Sequence, residues 1–167
     1  MAKLEKVLIS GGGVGGLTLA IALQKRDIAC DVLELKAKHS VLGVGIIQPG
    51  NVLRALRSIG LMEACIAAGH PANERRYHDN DGNLLVAAPV SRIAGEDAPG
   101  ISSLPRVALH QILVDAAVRA GANVAMGTTL ASHHDTGNGI EALTSDGRRI
   151  HADLLVAADG IRSPLRK

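Results

Sequence analysis

The sequence predicts an α/β fold with a parallel sheet and crossover helices, on three observations. Residues 6–9 (KVLI) form a short apolar run ahead of a glycine cluster, the pattern of a strand buried on both faces. From Leu17 the apolar positions switch to helical spacing through Ala20, Ile21, Leu23 and Gln24. Residues 29–35 (ACDVLEL) then form a second apolar strand, and a strand–helix–strand unit of this kind strongly favours the right-handed parallel crossover.

Composition narrows the function classes. At roughly 100–200 residues per domain, the chain of 167 residues reads as one domain spanning positions 1–167. Its 18 Lys and Arg against 16 Asp and Glu leave a formal charge of +2, which argues against an electrostatic nucleic-acid binder. With no Phe or Trp and only Tyr77, the core is built from Ala, Val, Leu and Ile, and an aromatic platform for stacking bases is excluded. No apolar run approaches the roughly 20 residues that span a bilayer, and the apolar stretch behind Lys3 and Lys6 is too short for a secretory signal. Cys30 and Cys65 make no disulfide framework, so a cytoplasmic setting is expected.

The elements follow in order. The first helix is expected to run to Lys25-Arg26, basic residues that suit the negative end of its dipole. Residues 36–48 read as irregular, with Gly43 and Gly45 as loop glycines. Helices are predicted over 51–59, stopped by Gly60, and over 62–68, ended by Gly69. Residues 75–78 and 84–88 flank Asp79-Asn80-Asp81-Gly82 as a β-hairpin. Residues 89–105 read as one long loop. A helix is predicted over 107–120, closed by Gly121, with His110 on its polar side. Strands are expected over 123–125, 130–134, 140–144 and 149–157, with Ser145-Asp146-Gly147 as a hairpin turn. Ser163 followed by Pro164 is the signature of an N-cap and a first helical residue. A helix begun so close to Lys167 predicts a truncated product.

Gly11, Gly13 and Gly16 match G-x-G-x-x-G between a strand and a helix, the context in which that pattern binds dinucleotides in a Rossmann-like fold. Gly11 suits the tight turn, Gly13 a close approach of pyrophosphate, and Gly16 the packing of helix on strand. The phosphates then meet the free N–H groups and positive dipole at the helix start. Glu34 stands about 20 residues on, where an acid accepts hydrogen bonds from ribose hydroxyls. A carboxylate there repels a 2′-phosphate, which leaves NAD or FAD.

Four stretches extend the pattern: VLISGGGVGGLTLAIAL, VLELKAKHSVLGVGIIQPGNVLRAL, LPRVALHQIL and DLLVAADGIRSPLR. In this order they resemble the N-terminal part of the single-component FAD-dependent aromatic-ring monooxygenases, the para-hydroxybenzoate and salicylate hydroxylase group. The resemblance implies a FAD-binding domain with parallel sheet, crossover helices and an added antiparallel hairpin region. It implies that Gly11, Gly13, Val14, Gly15 and Gly16 face the pyrophosphate and that Glu34 holds the adenosine ribose. It places Val44, Gly45 and Ile46 along the cofactor by backbone contact, Arg106 at the phosphate or ribityl side, Leu130 at adenine, and Asp159 in the Asp-Gly motif near the dinucleotide. Full members use NAD(P)H as electron donor and O2 to hydroxylate a small aromatic or related ring.

The chain also departs from that group. Leu42-Gly43 stand where an Arg is common, Leu35 replaces a polar residue, and the later Gly-Asp motif and substrate domain are absent. The fragment alone is therefore expected to bind nucleotide without hydroxylase turnover. No catalytic acid or base is identified. Two other readings are an NAD-linked dehydrogenase domain and a non-enzymatic nucleotide-binding or assembly subunit that associates through an uncovered sheet edge. His133-His134-Asp135 does not read as a metal site, because neighbouring strand residues point to opposite faces. The Asp79–Asn83 segment lacks the distal Glu of a calcium loop, position 90 being Val. Arg106 at a helix start is electrostatically misplaced, which favours a ligand role. Both cysteines read as small core residues.

Overall fold

A computed structural model describes residues 4–37 and 44–166, and the chain divides into two compact units. The first comprises residues 1–40 and 113–167, the second residues 41–112. Leu42 and Gly43 lie outside the described residues.

The first unit is built on β1 (Lys6–Ser10), α1 (Val14–Gln24) and β2 (Ala29–Glu34), the expected strand–helix–strand. With β8 (Asn123–Met126) and β12 (Leu154–Ala157) these strands form a parallel sheet in the order β12-β1-β2-β8. Leu8 and Ile9 are wholly buried, as an interior parallel strand requires. α1 lays Leu17, Ala20 and Ile21 against the sheet. It ends at Gln24, so Lys25 and Arg26 fall in the following turn and not in the last helical turn as expected. Arg26 still serves that end, donating from Nη1 to the Ala22 carbonyl at 3.2 Å.

A second sheet, β11-β10-β9, joins β9 (Leu130–Asp135), β10 (Ile140–Thr144) and β11 (Arg149–Ala152) antiparallel. Its Ala142, Ile150 and Ala152 cluster with Leu8 and Leu33. The single strand expected over 149–157 is two strands, β11 in one sheet and β12 in the other, parted at Asp153. Asp153 makes the switch: its N–H donates to the Lys6 carbonyl at 2.9 Å. Its Oδ2 accepts the N–H groups of Glu5 at 2.7 Å and Lys6 at 2.8 Å. Those backbone bonds, Lys6 first and Glu5 second, hold the Asp153 carboxyl below its ordinary range. Its stabilising contribution is therefore complete above about pH 4 and fades as pH falls through the depressed folded value. Asp153→Asn is expected to be less stable than the wild type at pH 7, with the two urea midpoints converging as the pH falls through the depressed folded value. A gap independent of pH would show that the charge plays no part.

The second unit holds β3 (Gly45–Pro49), α2 (Gly50–Ile59), α3 (Met62–Ala67), β4 (His70–Ala72), β5 (Glu74–His78), β6 (Leu84–Pro89) and β7 (Ile101–Pro105). β3, β7 and β4 form an antiparallel sheet in that order, and β5 pairs with β6 as the expected hairpin. Gly60 closes α2 in the left-handed conformation at φ 79°. Two expectations are corrected here. Residues 45–49 are a strand, not an irregular segment, and the supposed loop 89–105 contains β7, the middle strand of the sheet. Gln48 and Ser102 face each other across β3 and β7, both fully buried, so polar residues occupy positions where an apolar signal was sought.

α4 (Arg106–Arg119) contributes residues to both units, and Gly121 closes it at φ 102°. His110 is 8% exposed, so it belongs to the buried side of α4 and not to its polar side. The sequence pattern puts Leu109, Ile112, Leu113, Ala116 and Ala117 on the buried face; His110 and Val114, at 8% and 7% exposed, widen it. Cys30 and Cys65 are buried, and desolvation raises both thiols above the ordinary value, which keeps them inert. No helix among the described residues is long and apolar enough to cross a membrane.

Candidate functional site

The carboxyl ends of β1, β2 and β12 converge in the first unit. Gly11 donates its N–H to the Leu33 carbonyl at 2.8 Å, and the Ala158 N–H donates to the Ser10 carbonyl at 2.7 Å. Gly11 takes φ +113°, and a Cβ there would lie 2.3 Å from the Ala158 oxygen and 2.8 Å from the Asp159 nitrogen. Gly16 has no room either, since its Cβ would lie 1.9 Å from the Gly11 oxygen. These two glycines let three chain segments close on one another.

Gly13 and Gly15 differ. Beyond the adjoining residues and the backbone of α1 itself, no heavy atom lies within 4 Å of a Cβ built on either. Gly13 has extended backbone (φ −77°, ψ −175°), which any residue adopts. Neither conformation nor packing in the first unit asks for glycine at these two positions. The open space lies beside the start of α1, where no side chain caps the helix and its first turn holds no acid. The N–H groups of a first turn have no intrahelical acceptor, so this end presents positive potential to an anion.

Glu34 stands beside this cradle. Its Oε2 accepts the Gly12 N–H at 2.9 Å and its Oε1 the Lys36 N–H at 3.0 Å. The carboxylate retains lone pairs for ribose hydroxyls. Gly12 was not among the expected residues, because the fingerprint leaves its position free. A Cβ there would lie 2.9 Å from that of Glu34, so the two residues share one site. Asp159 lies at the same end, and its Oδ2 is buried without a hydrogen-bond partner among the described residues. An acceptor so placed is costly unless a ligand or water meets it. These features fit a dinucleotide: room at the phosphate-facing glycines, an oriented carboxylate, and an acceptor awaiting a donor.

Other expected residues are placed as follows. Val14 opens α1 and is 46% exposed. Leu130, half-buried on β9, packs against the cluster of Leu8 and Leu33. Val44, Gly45, Ile46 and Arg106 belong to the second unit. There Gly45 pairs with Pro105 and Ile46 with Leu104, which sets Val44 and Arg106 at one end of the β3–β7 ladder. Arg106 is exposed as the first residue of α4. Ser163 precedes a single 3₁₀ turn, Pro164–Arg166, but its hydroxyl is buried without a partner among the described residues, so the expected side-chain cap is not made. His134 Nε2 lies 3.5 Å from a Glu141 oxygen across the strands, and Asp79 accepts from the N–H groups of Asp81 and Asn83 within its turn.

The aurachin C monooxygenase/isomerase of Stigmatella aurantiaca is 34% identical over 164 residues, covering 96% of this chain and 41% of the relative. The 6-hydroxynicotinate 3-monooxygenase of Pseudomonas fluorescens is 28% identical over 169 residues, covering 100% of this chain and 43% of the relative. The crystal structure of p-nitrophenol 4-monooxygenase from Pseudomonas putida DLL-E4 superposes with a TM-score of 0.84 over 99% of this chain and 43% of that one; at 21% identity it shows the shared fold. The chain spans about two fifths of the length of these relatives. Residues 5–167 match the FAD binding domain family, and the chain belongs to it, as the FAD-binding domain found in FAD-dependent monooxygenases.

Proposed function

We propose that the first unit holds the ADP half of FAD, with pyrophosphate over Gly13 and Gly15 at the start of α1, ribose hydroxyls on Glu34, and Asp159 toward the dinucleotide. The observation that carries this reading is the division among the glycines: Gly11 and Gly16 are needed by the fold, whereas Gly13 and Gly15 border open space. Val44, Gly45, Ile46 and Arg106 are assigned to the same cofactor by the family resemblance. The absence of a close neighbour at Gly45, where a Cβ would meet only the Leu104 oxygen at 3.6 Å, is consistent with backbone contact.

The protein served by this domain hydroxylates a small aromatic or related ring with NAD(P)H and O2. A relative named for 6-hydroxynicotinate supports that substrate class. The bound flavin supplies electron transfer and oxygen activation. The chain's own residues bind and orient: backbone N–H groups neutralise phosphate charge, and Glu34 fixes the adenosine end.

By itself the chain is expected to bind FAD and ADP saturably and to catalyse no coupled hydroxylation. Calorimetry with FAD, ADP and NAD checks the first point, and product analysis with NADH, NADPH and a phenolic substrate the second. NAD binding as tight as FAD would replace this reading with a dehydrogenase domain. Coupled hydroxylation by the isolated chain would overturn the second expectation.

A further inference from the structure

Glu34 is the last residue of β2, and its position depends on a loop and a turn distant in sequence. The loop after β8 extends the pairing of β2 beyond the regular ladder: the Thr128 N–H donates to the Glu34 carbonyl at 3.0 Å, and the Gly127 N–H to the Lys36 carbonyl at 3.0 Å. Lys36 in turn donates its N–H to Glu34 Oε1. That loop is itself latched to the β10–β11 turn. Ser145 donates its N–H to the Thr129 carbonyl at 2.9 Å, while Ser145 Oγ accepts the Thr129 N–H at 3.1 Å. The hydroxyl of Thr128, which is 5% exposed, points to Asp146 Oδ2 at 3.4 Å. Asp146 is fixed by the Thr144 hydroxyl and by Arg148 Nε at 2.9 Å, and Thr144 is 1% exposed.

We propose that the β10–β11 turn is a brace for the ribose-binding carboxylate, and that Ser145 and Asp146 are positioning residues for the adenosine end of the nucleotide. The proposal rests on the reading of Glu34 as the ribose acid. Its physical basis is that a binding constellation performs only within about 0.5 Å of its productive geometry. A strand-end carboxylate anchored through N–H groups moves with the peptides that carry them. The brace runs by hydrogen bonds from Ser145 to Thr129 and from Asp146 to Thr128, along the backbone of residues 127–129, and by the Thr128 and Gly127 N–H groups to the carbonyls of Glu34 and Lys36. Among the described residues the hydrogen bonds of Ser145 and Asp146 go to the loop and to their own turn and not to Glu34, so the brace acts through the loop.

Titration calorimetry of the whole 167-residue chain with ADP and with 2′,3′-dideoxy-ADP isolates the ribose contact. The wild type is expected to prefer ADP by about tenfold or more. The double variant Ser145→Ala/Asp146→Ala is expected to lose most of that preference while binding the dideoxy compound as the wild type does. Ser145→Thr, which keeps the hydroxyl, is expected to retain it. Because the ratio compares two ligands on one variant, partial unfolding weakens both alike and cancels. A preference retained in the double variant but lost in Glu34→Ala overturns the brace and leaves Glu34 as the ribose acid. No preference in the wild type removes Glu34 from that role, and the brace with it.

Discussion

Gly16→Ala is expected to destabilise the first unit by about 3 kcal/mol or more, at the upper end of what overpacking costs. The added methyl would sit 1.9 Å from the carbonyl oxygen of Gly11, and both partners are backbone, so no rotamer relieves the clash. Relief requires α1 to move off the sheet. That motion uncovers Leu17 and Ala20, each 0% exposed, and Ile21 at 3%. Gly11 is itself packed closely on the Ala158 peptide, where an added Cβ would lie 2.3 Å from the carbonyl oxygen, and its φ of +113° favours glycine. Gly11→Ala is expected to fail in the same way. Urea unfolding followed by circular dichroism checks both variants. A midpoint equal to the wild type in either would show that the β1–α1 junction has slack where the structure shows none.

Much of this junction was legible in the sequence, for a physical reason. A glycine spacing framed by a strand and a helix reports a backbone constraint, and such constraints are local. The apolar run of β1, the α1 face of Leu17, Ala20 and Ile21, and the acid ending β2 all survive in the structure at their expected places. The family likeness supplied Asp159, whose Oδ2, without a partner among the described residues, no local pattern announces. What escaped was decided by distant partners. β7 reads ISSLP, and Ser102 is buried because it faces Gln48 across the sheet; neither residue advertises an interior strand. The division of residues 149–157 at Asp153 depends on Glu5 and Lys6, nearly the whole chain away. Gly12 escaped because its role lies in its N–H bond to Glu34, and a backbone donor carries no residue signature. Ser145 and Asp146 read correctly as turn residues, yet their connection to Glu34 runs through Thr128 and Thr129, which only the fold brings near.

Gly13→Ala and Gly15→Ala are expected to do the reverse of Gly16→Ala: to spare the fold and weaken FAD binding about a hundredfold, close to 2.7 kcal/mol. Beyond the adjoining residues and the α1 backbone, neither methyl meets a heavy atom within 4 Å, and Gly13 already holds an extended conformation open to alanine. As the N-cap of α1, Gly13 gives up at most about 1 kcal/mol on becoming alanine. Gly15 lies within the first turn of α1, where alanine is the better helix former by about 0.5–1 kcal/mol, so Gly15→Ala is expected to be slightly more stable than the wild type. A variant that melts higher and binds more weakly separates the two roles more sharply than any loss of both. If pyrophosphate lies over these positions, each methyl occupies volume that phosphate oxygens need and holds them away from the N–H groups of the helix start. Thermal melts without ligand and calorimetry with FAD make the comparison. Unchanged FAD affinity in both variants would place the phosphates elsewhere and leave Gly13 and Gly15 without a reason to be glycine.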